Sequence, residues 1–187
     1  MSLNIAMAQT VSDLRKLSKD SLIKMAAKKI DEPSFIVNDF NQIEIWVEDE
    51  ELTVEFGYAI RFIPKKGQFY YSVSVELVSG SSSRYLKGEG PNDKDVQFYK
   101  PARYQEKIKF VLEAIKTGNG EVGRIPEGQL PDGTMTIKEE GGYYDVEVDS
   151  ESTHSYYKIK KGSGKIYDAG HKHYMRDDSP AKRQRIY

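Results

Sequence analysis

The chain carries three histidines, and two of them are spaced to act together. His171 and His173 flank Lys172 in the segment Gly170-His171-Lys172-His173. Residues two apart on a β-strand project to one face, so these imidazoles could share one metal ion. A catalytic zinc takes three protein ligands and an open position. His154, Asp168 or Asp177 would have to supply the third through the fold. A metal-dependent enzyme using His171 and His173 is therefore the runner-up reading.

Other polar groupings carry weaker chemistry. Residues 32–56 hold Glu32, Asp39, Glu44, Glu48, Asp49, Glu50, Glu51 and Glu55 with no lysine or arginine. A hairpin turn at Glu48–Glu51 would gather oxygens of the kind calcium takes, but the Asp-x-Asp-x-Asp-Gly spacing of an EF-hand is missing. The plainer reading is a solvated acidic edge that resists edge-to-edge pairing. Ser81-Ser82-Ser83 has no Gly-x-Ser-x-Gly context. Gly88-Glu89-Gly90 and Gly162-Ser163-Gly164 match neither a Rossmann nor a P-loop fingerprint. Lys182-Arg183-Gln184-Arg185 could touch phosphates, yet beside Asp177 and Asp178 it reads as a solvated terminus. No catalytic triad is legible and no cofactor is implied.

The aromatic surplus is the most suggestive feature. The chain has 13 tyrosines and a single tryptophan. Trp46 alternates with Ile45 and Val47, and Tyr70 with Phe69 and Tyr71, which places Trp46 and Tyr70 on the wetter faces of their strands. The pairs Tyr143-Tyr144 and Tyr156-Tyr157 each turn one ring outward, so Tyr143 and Tyr156 complete the candidate set. Tyrosine and tryptophan combine large contact area with a polar handle, which suits recognition surfaces. The competing reading covers both sheet faces, one with helices and the other with a second layer or subunit.

The elements that must position these residues follow from periodicity. Val11, Leu14, Leu17, Leu22, Met25 and Ala26 fall on one stripe and predict a helix from about Val11 to Ile30, closed by Pro33. Alternation predicts strands at Gln42–Glu48, from Leu52 to Phe62 with a bend near Gly57, and from Phe69 to Leu77. Gly80–Asp95, rich in Ser, Gly, Asn and Asp, reads as a loop. A second helix begins near Pro101 and ends at Thr117-Gly118-Asn119-Gly120, and a punctuated loop covers Glu121–Gly133. Strands at hairpin spacing follow at Thr134–Lys138, Tyr143–Asp149, Ser155–Lys161 and Lys165–Tyr174.

The sequence thus predicts an α+β fold with two helices and antiparallel β-meanders in the order α-βββ-α-ββββ. It is either two similar α+β units or one continuous sheet with helices on one face. The expected divisions are a flexible N-terminus at 1–9, a helix plus three-stranded meander at 10–79 and a connecting loop at 80–100. A helix with four short strands at 101–175 and a mobile tail at 176–187 complete the chain. This order is similar, in topology alone, to small exported binding or inhibitor proteins built of tandem helix-plus-meander units.

Composition narrows the function classes. A formal net charge of −1 lacks the positive excess of a non-specific nucleic-acid binder. The absence of cysteine removes disulfides, thiolate metal sites and cysteine nucleophiles. No run approaches the ~20 apolar residues of a membrane-crossing helix. Ala6-Met7-Ala8 has the form of a signal-peptidase site behind too short a leader, leaving periplasmic or secreted and cytoplasmic locations near even. The expectation is a non-enzymatic binding module, exported or not, that presents an aromatic sheet face to a protein or glycan. A structural oligomer subunit is the third reading.

Overall fold

A computed structural model describes residues 10–89, 96–118, 133–150, 153–173 and 183–187. The fold is α+β, with few helices and mostly antiparallel strands in two sheets. Contacts divide the chain into two compact units. Unit 1 comprises Met1–Gly57, Ser72–Tyr85 and Ser179–Tyr187, and unit 2 comprises Tyr58–Tyr71 and Leu86–Asp178.

In unit 1 the predicted single helix is two, α1 (Val11–Leu14) and α2 (Lys19–Lys29). The break has a local cause. Ser18 adopts an extended backbone and its side chain accepts from the Ser21 N–H at 3.3 Å, capping α2 and stopping α1. Leu14, Leu22 and Ala26 remain fully buried, so the apolar stripe survives the interruption.

Strands β1 (Gln42–Glu48), β2 (Glu51–Gly57), the Ser72–Glu76 part of β4 (Gly67–Glu76) and the start of β5 (Ser82–Glu89) form the sheet of this unit. β1 and β2 pair in register from Gln42 opposite Gly57 to Glu48 opposite Glu51. Ile45, Val54, Phe56, Val73 and Val75 form the buried side, as period-two alternation requires.

Two segments in unit 1 depart from expectation. The predicted 80–95 loop contains strand β5, whose residues 82–85 in this unit are all exposed. A strand wet on both faces lacks apolar alternation and is indistinguishable from a loop by composition. The predicted mobile tail includes β11 (Arg183–Arg185), which pairs antiparallel with β1, Trp46 opposite Arg185 and Glu48 opposite Arg183. Three residues are too few for a period to show. Residues 174–182 and 1–9, with Asp177, Lys182 and Ala6-Met7-Ala8, lie outside the described residues, as does the predicted Glu121–Gly133 loop up to residue 132.

In unit 2 the strand predicted to run past Gly57 resumes as β3 (Ile60–Ile63), which pairs parallel with β7 (Thr134–Glu139). β7, β8 (Tyr143–Asp149), β9 (Thr153–Lys160) and β10 (Ile166–His173) then pair antiparallel in succession, giving the order β10-β9-β8-β7-β3. Within this unit the Gly67–Tyr71 part of β4 pairs parallel with the short β6 (Gln97–Phe98).

A 3-10 turn at Pro101–Tyr104 leads into α3 (Gln105–Thr117), which ends at Gly118 in the left-handed conformation (φ 60°). Helix α3 packs on β9, burying Val111 and Ile115. The core of unit 2 is built on tyrosines. Tyr71 and Tyr99 stack at 4.6 Å, Tyr99 and Tyr104 at 5.7 Å, and Tyr104 and Phe62 at 4.8 Å. Their hydroxyls serve the backbone: Tyr58 donates to the Tyr99 carbonyl at 2.9 Å, and Tyr99 accepts from the Phe62 N–H at 3.1 Å.

Candidate functional site

The candidate tyrosines divide as alternation requires. Tyr144 and Tyr157 turn into the core of unit 2, while Tyr143 and Tyr156 are half-buried on the outward face of the five-stranded sheet. The register puts Tyr143 opposite Lys160, Asp145 opposite Lys158 and Glu147 opposite Tyr156. Four strand positions separate the two tyrosine levels, roughly 13 Å.

Each outward ring has its own support. Tyr143 meets Tyr167 edge to face, with centroids 5.9 Å apart, and Lys158 lies 5.9 Å over its ring. Nothing in the sequence singles out Tyr167. It reaches this face where the β9–β10 register slips between Ile166 and Asp168, and 41% of its surface is exposed. Desolvation raises its phenol above the usual range, and neighbouring Tyr143 pushes the same way. Tyr156 stands opposite Gly170, where a Cβ atom would sit 2.6 Å from its ring. Only glycine admits this close approach of ring to backbone.

Around the rings the charge is mixed. Lys138 pairs with Glu147 at 3.3 Å, and His154 Nδ1 meets Asp149 at 2.7 Å. Tyr70 belongs to the same unit but to the β4–β6 ladder, where its ring tilts against buried Phe98 at 5.5 Å. It is therefore on a different ladder from Tyr143 and Tyr156.

Trp46 lies in unit 1. It shares its face of β1 with Glu44 and Glu48, and the Arg183 guanidinium sits 4.3 Å from its ring centroid. Arg183 pairs with Glu55 at 2.6 Å and Arg185 with Glu44 at 2.9 Å. The acidic run and the basic cluster, separate in the sequence, meet here. Next to this face Glu51 organises the β4–β5 turn. Burial pushes its carboxyl up, but the N–H groups of Ser79, Val78 and Leu52 more than offset this and hold it below the usual range.

The histidines split. His171 and His173 are both exposed, with ring centroids 5.3 Å apart, on one side of β10. His171 registers with Ser155 and Lys172 with His154. Directly paired residues share a face, so His154 projects to the opposite side, and so does Asp168, which registers with Lys158. Neither can complete a site with the pair. Among the described residues no group of three His, Asp or Glu side chains is placed to hold a metal ion.

A carboxylate clamp stabilises the neighbouring hairpin. Glu139 accepts from Lys107 at 2.7 Å and from Lys161 at 3.2 Å. Burial raises its pKa, and the two ammonium groups outweigh that and hold it below the usual range. A cleft of about 230 Å³ beside it is lined by Ile63, Pro64, Lys65, Lys87, Lys138, Glu139 and Glu140. It is smaller than the ~300–1,000 Å³ of a typical small-molecule site.

No helix among the described residues is long and apolar enough to cross a membrane. Comparisons with family models, curated proteins and solved structures return no match.

Proposed function

We propose that the protein is a non-enzymatic binding module whose outward tyrosine face, in unit 2, engages a protein or glycan partner. The observation that carries this is the Tyr143–Tyr167 edge-to-face pair with Lys158 over the Tyr143 ring. Tyr156 extends the same face, its ring held against Gly170. Tyrosine offers wide contact area at small cost in side-chain entropy, and its hydroxyl bonds sugars and peptides alike. Alternating lysines and carboxylates around the rings supply the polar rim of a recognition surface.

The test is binding of the full chain to an immobilised glycan panel and, separately, to partner proteins captured by cross-linking. A Tyr143→Ala/Tyr167→Ala variant should bind the identified partner at least tenfold more weakly while unfolding at the wild-type temperature. Undiminished binding by that variant sinks the reading.

A further inference from the structure

The last five residues of the chain dock on the outer edge of β1 through side chains as well as backbone. The pairing runs past β11: the Ile45 N–H donates to the Tyr187 carbonyl at 3.2 Å, and the Ile186 N–H donates to the Ile45 carbonyl at 2.9 Å. Arg183 lies over Trp46 and pairs with Glu55, and Arg185 pairs with Glu44. Gln184 Oε1 accepts from Arg15 at 3.2 Å, and the Tyr187 hydroxyl donates to the Leu17 carbonyl at 3.1 Å. A main-chain ladder combined with dedicated partners for alternate side chains is the mode by which sheet edges recognise extended peptides. Stacking on an indole while pairing with a carboxylate is a task for arginine, which lysine performs less well.

A second observation separates this edge from an ordinary one. Trp46 Nε1 and Gln42 Oε1, both on the arginine-bearing face of β1, are buried without a hydrogen-bond partner among the described residues. A buried donor left unpaired is destabilising. The chain's own strand therefore fills this edge incompletely, and a ligand offering the indole an acceptor would fit it better.

We infer that the outer edge of β1 is a recognition groove for an extended segment of a partner protein with arginines at alternate positions. The chain's own Arg183–Tyr187 segment occupies it in cis. The groove lies in unit 1 and uses no residue of the tyrosine face, so either proposal can fail alone. A tethered strand competes at an effective concentration of millimolar order. A partner displaces it by matching the arginine register and satisfying the indole.

Trp46 is the chain's sole tryptophan, so its emission reports on the groove. The probe is the N-acetylated pentapeptide Arg-Gln-Arg-Ile-Tyr, titrated into the full chain and into its Arg183→Glu/Arg185→Glu variant. The variant should show altered Trp46 emission by itself. It should bind the peptide at least tenfold more tightly than the wild type, and adding Glu44→Lys/Glu55→Lys should abolish that binding. Unaltered emission with no peptide response, or a response that survives the added lysines, overturns the inference. Hydrogen exchange on the wild type supplies a readout free of folding defects. The Ile45 and Ile186 amides should exchange at least tenfold faster than amides of the β1–β2 ladder. Equal rates would make the strand a permanent member of the sheet and overturn the inference. Concentration-dependent dimers with exchanged strands would make a second copy the occupant and overturn the choice of partner.

Discussion

The outward faces of the two sheets carry their aromatic residues in opposite ways. In unit 1, Trp46 stands among glutamates, and the chain itself supplies the cation that lies over the ring and the arginines that answer the carboxylates. In unit 2, Tyr143 and Tyr167 support each other with Lys158 over the Tyr143 ring, Tyr156 rests on Gly170, and all three stay half-buried or exposed. An aromatic ring on a polar sheet face is thus not one signal but two. Where the neighbours are uniformly acidic, a distant basic segment can cover it. Where the neighbours alternate in sign, pairs such as Lys138–Glu147 form within the sheet itself.

The comparison depends on the tyrosine sheet being held rigid, and the largest expected effect tests that. Gly133 has φ +142°, and a Cβ there would lie 2.0 Å from the Asp149 carbonyl oxygen. Gly133→Ala should lower the stability measured by urea unfolding by at least about 3 kcal/mol. A loss below about 0.5 kcal/mol would show that the β7–β8 end does not constrain the face.

A middling effect separates the buried tyrosines of unit 2 from the exposed ones. Tyr99→Phe leaves the buried Phe62 N–H without its acceptor and should cost about 1–3 kcal/mol. Burial pushes the Tyr99 phenol up to about 12. The folded state therefore holds this proton more tightly than the unfolded chain, whose tyrosines ionise near ~10. Its contribution is fully present below the unfolded value and is lost as pH rises through the folded one. Stability followed by circular dichroism should fall between about pH 10 and 12, and the fall should be shallower in Tyr99→Phe. An unchanged slope would remove Tyr99 as the cause.

The smallest effect sharpens the contrast from the other side. Tyr167 is exposed and its contact with Tyr143 lies at the surface, so Tyr167→Ala should shift stability by less than about 0.5 kcal/mol. A thermal melt showing a loss above about 1.5 kcal/mol would make the ring pair part of the scaffold, not a free surface.

Much of this fold is legible from residue order. Gln42–Glu48 is read to the residue, because an apolar row alternates with polar ones and a turn follows. The inward and outward members of Tyr143-Tyr144 and Tyr156-Tyr157 follow from the same period. Ser18 shows why apolar spacing predicts too long a first helix, since the spacing carries across a cap that interrupts the backbone. The exposed β5 and the short β11 have no period to read. Tyr167 carries no signal in the sequence, because a register slip that no local pattern shows turns it toward Tyr143.

What the sequence determined by itself was the α+β class and which residues face inward on each long strand, because periodicity is a local property of the chain. Tertiary structure alone decided that Arg183 covers Trp46, that His154 projects to the sheet face opposite His171 and His173, and that Tyr156 rests on Gly170. Each of those depends on strand register, which pairs residues distant in the chain and which no local pattern encodes.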